Sequence, residues 1–491
     1  MTLSSVGVTA FVPQVNIETS LSFTFSSAPI IQSGWKLRMQ WPAQVSQQSA
    51  TPTCGTFFTT QASAPCEFTP GNNYAETVVT DNIDFGVVSI SNFLTPSSTQ
   101  PTDPFHFYVY DASGALQGSY TNQFFTVSMS TPNVFAQSSL IATASPAKVG
   151  EYGPAELTIT PTTPIPASGR LVLVFPEWNP LATSPEPMLS AASTCTGVQN
   201  TGAALTCSIA THTLTISNLV DAQTTSELKL TISQLHYPLT TGGVSGIKAT
   251  TYTADGLYKI DENTNLSLTG VNTAATLQLV GQGISVANSG TVSEAGSATF
   301  RFRVPVPVSQ NCKFRIVFPL QMAVDSASTT VSVNYISFPR QQPNYSAPKS
   351  SGQGRDIFLN YVCPDNYLEA NQMAIFTIND VVNPSSTKAT DTFELYILDE
   401  NDQKIAELTS GVTWQAASGN ISNLALSLSP STVKAAATAS VSFTPTHAIP
   451  ANGKLLIQFP ADVIPTAADT TACSLSSTTG VRADATCEII G

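Results

Sequence analysis

Eight cysteines carry the clearest chemistry in this sequence. They fall as four pairs: Cys54 and Cys66, Cys195 and Cys207, Cys312 and Cys363, Cys473 and Cys487. Three of the pairs are 12 to 14 residues apart, and the third pair is 51 apart. An even number, regular pairing along the chain and no CxxC predict one disulfide per pair. Closing a loop of the shorter length stabilises a fold by about 3 kcal/mol on the chain-entropy account. Zinc is the competing chemistry, and it needs clustered Cys or His ligands. The four histidines, His106, His212, His236 and His447, stand beside no cysteine. Disulfides are therefore the preferred reading, and they imply an oxidising, extracellular setting.

Other polar motifs yield less. Sequons at Asn265-Leu266-Ser267, Asn344-Tyr345-Ser346 and Asn420-Ile421-Ser422 are candidate N-glycosylation sites. DENDQ (399–403) and DENTN (261–265) have the acidic character of calcium loops. In DENTN, Leu266 stands where an EF-hand needs Gly and no closing Glu follows, and DENDQ lies inside a hairpin rather than between domains, so a solvated turn is expected for both. Trp35, Trp178 and Trp414 could stack on sugars if exposed, although packing or domain-interface roles are more common for Trp. Trp41 replaces Phe at a strand end and is expected in the core. His212, read as part of an alternating strand, has no visible base or nucleophile partner. GxSxG, HExxH and phosphate-loop motifs do not occur. No catalytic residue, cofactor site or metal site is assigned, and a non-enzyme is expected.

These residues are carried by a repeat. An apolar strand ends in aromatic-proline at Trp41-Pro42, Phe175-Pro176, Phe318-Pro319 and Phe459-Pro460, at intervals of 134, 143 and 141 residues. Another apolar residue precedes each by 16 positions: Phe25, Ile159, Phe302 and Phe443. The strand before aromatic-proline alternates with period two, as a half-buried strand must. Its inward candidates are Leu37, Met39 and Trp41; Leu171, Leu173 and Phe175; Phe314, Ile316 and Phe318; Leu455, Ile457 and Phe459. Two further strands around an Asp- or Gly-bearing turn finish each complete repeat (105–120, 247–263, 393–408). Short strands separated by Pro, Gly, Ser and Thr, about eight per repeat, predict an all-β chain of tandem immunoglobulin-like antiparallel β-sandwiches. The expected units are 1–131, 132–274, 275–418 and a truncated fourth at 419–491.

Composition narrows the class. The chain has 491 residues, 19 basic against 32 acidic, and a net charge of −13. It offers no basic stripe for nucleic acid. With 42% hydrophobic residues in ordered patterns, it is not a disordered polar tract. No apolar run approaches the roughly 20 residues that span a bilayer. The start lacks the features of a signal peptide, so a processed chain or a segment of a larger protein is expected.

The phrase IPANGKLLIQFP followed by a spaced cysteine pair resembles tandem-repeat immunoglobulin-like surface and fibre proteins, most of all the repetitive, mastigoneme-like surface proteins of protists. That resemblance implies secretion, glycosylation and assembly without catalysis. The sequence departs from ordinary immunoglobulin domains: it lacks their Cys-Trp-Cys spacing, and its cysteine loop is too short to join the sheets in the usual way. The leading expectation is a structural subunit of an extracellular filament or cell-surface appendage, with itself as partner. The alternative is a surface adhesin or carbohydrate-binding protein, with glycans as partners. Residues 6–12 could complete a sheet in another subunit by strand addition, with the truncated fourth unit as acceptor, but that unit lacks about four strands and simple truncation is the better account. Pairing of those residues within their own unit would remove that idea.

Overall fold

A computed structural model describes residues 1–48, 53–58, 66–68, 71–179, 186–287, 290–308, 311–324, 331–332, 350–351, 355–359, 368–449 and 453–463. The described residues contain strands and turns and no helix. Period-two alternation of apolar residues, broken by Pro and Gly, leaves the chain little alternative to sheets.

The first sandwich is built from β1 (Thr2–Ala10), β2 (Glu18–Ile31), β3 (Lys36–Gln40), β4 (Ser46–Gln47), β5 (Cys54–Phe58), β6 (Cys66–Phe68), β7 (Tyr74–Val78), β8 (Ile83–Leu94), β9 (His106–Tyr110) and β10 (Leu116–Tyr120). One sheet runs β1-β2-β8, with β4 and β5 side by side along β8; the other runs β10-β9-β3-β7-β6. The second sandwich repeats the plan with β11 (Gln137–Ala142), β12 (Tyr152–Thr160), β13 (Arg170–Val174), β14 (Cys195–Gln199), β15 (Thr206–Ala210), β16 (Thr213–Ser217), β17 (Leu228–His236), β18 (Val244–Tyr252) and β19 (Lys259–Thr269). Its strand order is β14-β17-β12-β11-β19-β18-β13-β16-β15. The first strand, β11, joins the two sheets by pairing antiparallel to β12 and parallel to β19.

In the third sandwich the first strand is split. β20 (Ala275–Thr276) pairs parallel with β30 (Lys404–Leu408), and β21 (Gln278–Ala287) pairs antiparallel with β22 (Ala295–Arg303). Between them come β23 (Lys313–Val317), β24 (Ala323–Val324), β25 (Val331–Ser332), β26 (Ser350–Ser351), β27 (Asp356–Leu359), β28 (Met373–Val382) and β29 (Glu394–Leu398).

The strand before aromatic-proline is central in its sheet each time, flanked by β7 and β9, by β16 and β18, or by β27 and β29. Its inward residues Leu37, Met39, Trp41, Leu171, Leu173, Phe175, Phe314, Ile316 and Phe318 are all buried. Trp41 is 3% exposed, stacked on Phe68 and edge-on to Phe93. Edge-to-face rings such as Phe23 and Phe105, 5.8 Å apart, fill the first core. The buried side chains of the second and third sandwiches form one continuous apolar cluster.

Three expectations need correction, and one disfavoured idea is removed. The strand expected at 454–459 is not a strand, and Leu455 and Ile457 are exposed. That segment has no paired neighbour among the described residues, so it has no ladder to hold it extended. Residues 2–10 pair with β2 of their own sandwich, which removes the donor-strand idea. His212 lies in the turn between β15 and β16 rather than on a strand. DENTN is not a solvated turn: it runs inside β19, where Asp261 is fully buried. DENDQ is a turn, with the Asp399 carboxylate accepting the N–H groups of Asn401 and Gln403.

Candidate functional site: the staples, the joints and an arginine–tyrosine face

Cys195 on β14 and Cys207 on β15 form a disulfide with Cα atoms 6.1 Å apart. These two strands are the opposite ends of the nine-stranded run. The short cysteine loop therefore does join the two sheets, at their open edges rather than through the centre. Cys54 on β5 and Cys66 on β6 occupy the corresponding edges of the first sandwich. They stand as a hydrogen-bonded thiol pair. That bond lowers the Cys54 pKa and, together with burial, raises that of Cys66. Cys312 is fully buried and disulfide-bonded. Cys363, Cys473, Cys487 and Asn344 lie outside the described residues. Asn265 and Asn420 are exposed.

The linkers between sandwiches are hydrogen-bonded rather than free. Thr131, Thr273 and Ala417 pair in parallel with Gln14, Lys148 and Thr291 of the preceding sandwich. Two residues past Thr131 and Thr273, the same linkers pair in parallel with the last strand of the next sandwich, as Asn133 with Asp261 and Ala275 with Ala406. A second contact brackets each joint. Thr99 donates its N–H to the Lys259 carbonyl at 2.8 Å, and the Lys259 N–H returns to Thr99 Oγ1 at 2.9 Å. Thr241 and Lys404 repeat this at 2.9 and 3.1 Å. Val306 of the third sandwich also sits where a side chain on Gly150 would be, 2.6 Å from the position of its Cβ. These joints do not stand out in residue order. The available signal was Pro followed three residues later by Thr, at Pro96–Thr99, Pro238–Thr241 and Pro384–Thr387.

The tryptophans serve packing. Trp35, Trp178 and Trp414 are half-buried against the core clusters. Trp178 donates its indole N–H to the Tyr237 carbonyl and stacks on His236 at 3.6 Å, with Tyr152 4.2 Å from the same imidazole. Burial pushes the His236 pKa down to about 4, against the opposing pull of its bond to the Gly150 carbonyl.

The outer face of the β9-β3-β7 sheet presents a different chemistry. Because Leu37, Met39, Ala75, Phe107 and Val109 point inward, alternation places Lys36, Arg38, Tyr74, Glu76, His106, Tyr108 and Tyr110 on the solvent side. Arg38 bonds Glu76 through Nε at 2.7 Å and Nη2 at 2.6 Å. Its guanidinium carbon lies 4.2 Å from the Tyr74 ring centroid and 4.9 Å from that of Tyr110. Burial opposes the charge on Arg38, but Glu76 outweighs it and raises the pKa. All of these side chains are half-buried, so each keeps a solvent-facing portion. The third sandwich has a counterpart in Arg315, between Tyr396 and Phe358 and bonded to Asp356 at 2.8 Å. There Tyr396 is only 9% exposed. The second sandwich has Val172, Thr215 and Thr250 at the matching positions.

No family profile matches the chain, and no curated protein matches it. Solved structures do. The N-terminal domain of the Streptococcus gordonii adhesin Sgo0707 aligns over 85% of this chain and 90% of its own, at 8% identity and a TM-score of 0.23. The collagen adhesin of S. aureus aligns over 64% and 96%, at 9% identity and a TM-score of 0.16. The type II cohesin dyad of the ScaA scaffoldin of Acetivibrio cellulolyticus aligns over 54% and 98%, at 10% identity and a TM-score of 0.17. None of the three is a flagellar-hair component. Likenesses at this level place the chain in no family.

Proposed function

We propose that this chain is an extracellular, non-catalytic β-sandwich protein of a cell surface. On this reading it binds a partner through the Arg38–Tyr face and holds that face out on bracketed sandwiches divided near residues 131, 274 and 418. The observation that carries it is the grouping of Tyr74, Tyr108 and Tyr110 around Arg38 on a sheet face where alternation asks only for polar residues. Tyr and Arg are the residues most often responsible for binding energy at protein interfaces, because each gives large contact area with polar reach. The two-sided hydrogen bonding of the linkers supports a stiff stalk. Exposed sequons at Asn265 and Asn420 and a disulfide support an oxidising, glycosylated setting. Adhesins and a collagen-binding domain stand among the structural matches, so a collagenous ligand is among the first to try.

The test is binding of the intact chain to immobilised collagen and to a glycan array, compared with Arg38→Ala and Tyr108→Ala. Binding to either surface that falls at least tenfold in both variants supports the reading. Binding that both variants retain removes the face from it. A filament subunit is the second reading. It is favoured by the two-stranded sheet of β31 (Ile421–Ser429) and β32 (Thr438–Pro445), whose Leu424, Leu426 and Leu428 are exposed. Regular fibres in electron micrographs of the native protein would favour it.

A further inference from the structure

We propose that the joint between the first and second sandwiches is acid-tightened, through the buried carboxyl of Asp261, and that the next joint is not. Asp261 is 0% exposed, in the strand that receives the linker. Its Oδ2 accepts the N–H groups of Thr162 and Thr163 at 2.9 and 3.0 Å. Its Oδ1 is buried with no hydrogen-bond partner. Directly beside it runs Asn133, 5% exposed, whose carbonyl accepts the Glu262 N–H and whose N–H goes to Ile260. Asn133 Oδ1 in turn accepts Gln14 Nε2 of the first sandwich at 3.3 Å. The carboxyl thus sits against the one residue that ties the linker to both sides.

Such a placement is not required by the fold. At the next joint the same two positions are Ala275 and Ala406. A buried carboxylate with an unanswered oxygen costs free energy, whereas the protonated form leaves no charge to desolvate.

Among the described residues, no charged group acts on Asp261; burial and its two threonine partners do. The linker contributes Thr131, Pro132 and Asn133; the β12–β13 connection contributes Thr162 and Thr163; β18 contributes Thr250 and Thr251. On its own strand, Lys259 and Glu262 are bonded to one another, and Lys248 joins them. Burial raises the Asp261 pKa, and the Thr162 and Thr163 bonds only partly oppose it. A carboxyl raised on folding binds its proton more tightly in the folded state. The joint therefore gains stability as pH falls from neutral through that raised value, and the gain is complete below the ordinary carboxylate range near roughly pH 4.

The experiment is hydrogen exchange of the intact chain at pH 7 and pH 5, corrected for intrinsic rates and followed by mass spectrometry over residues 128–136 and 272–278. In the wild type, protection at 128–136 rises on acidification, by about tenfold for each pH unit between the folded and unfolded pKa values that the change in pH spans. Protection at 272–278 does not follow. Asp261→Asn, which keeps an acceptor for Thr162 and Thr163 without the charge, shows the acid level of protection at both pH values. Should that variant misfold, Asn133→Ala with Asp261→Ala copies the alanine pair of the second joint and is expected to lose the pH response. A wild-type response at 128–136 that either variant retains, or a wild type with no response, overturns the proposal.

Discussion

Removing the Cys195–Cys207 bond tests how the sandwiches share stability. The bond closes a sequence separation of 12 residues and connects the terminal strands of a run that is otherwise open at that edge. On the chain-entropy account a loop of this length contributes about 3 kcal/mol. The thermal consequence depends on what unfolds with it. Unfolding entropy is roughly 2 cal/mol/K per residue, so about 140 residues melting alone would lose roughly 10 °C. The second and third sandwiches, however, have one continuous buried cluster, bracketed by Thr241 and Lys404. If they melt as one body, the same 3 kcal/mol is divided by about twice the entropy, and the midpoint falls by only about 5 °C. Calorimetry of the intact Cys195→Ala/Cys207→Ala chain measures both the shift and the enthalpy that moves with it. We expect a shift near 5 °C in a transition whose enthalpy corresponds to two sandwiches. A shift near 10 °C in a one-sandwich transition would refute the joined core. No shift at all would refute the role of the staple.

Other consequences follow from single contacts. Cys54 and Cys66, placed on the same edges in the first sandwich, should be recovered as one disulfide-linked peptide from protein secreted under oxidising conditions, with no titratable thiol at either. Thr241→Ala removes the acceptor for the Lys404 N–H; it should cost about 1 kcal/mol and raise exchange at that amide. Arg38→Ala leaves Glu76 without its partner and uncovers two tyrosine rings, so a loss of about 1 kcal/mol in the first sandwich is expected by denaturant unfolding. His236, held neutral with a pKa of about 4, has the opposite sign to Asp261. The unfolded chain takes up that proton near roughly pH 6.5, so the second sandwich loses stability between there and pH 4, and His236→Phe should abolish that slope in pH-dependent melting.

Much of the fold was legible in residue order. The recurrence of Leu37-x-Met39-x-Trp41 as Leu171-x-Leu173-x-Phe175 and Phe314-x-Ile316-x-Phe318 named the central strand, because only a half-buried strand needs period two. The regular pairing of Cys195 with Cys207 named the staple. Other features were legible only in part. The alternating Lys36, Arg38 and Gln40 could be assigned to an outer face, but not grouped with Tyr74, which is 36 positions from Arg38, or with Tyr108 and Tyr110, which are about twice as far. DENTN read as a turn because its composition is that of a turn, and composition does not register that a strand is clamped between neighbours.

The sequence by itself determined the local alternation, the breaks at Pro and Gly and the repeat, since these follow from side-chain period and backbone restriction within a few residues. Tertiary structure alone decided which edges Cys195 and Cys207 close, how Thr99 meets Lys259, and that Asp261 is dry while Ala406 holds its place in the next sandwich. Those outcomes depend on contacts between residues far apart in the chain, and the local physics of neither segment contains them.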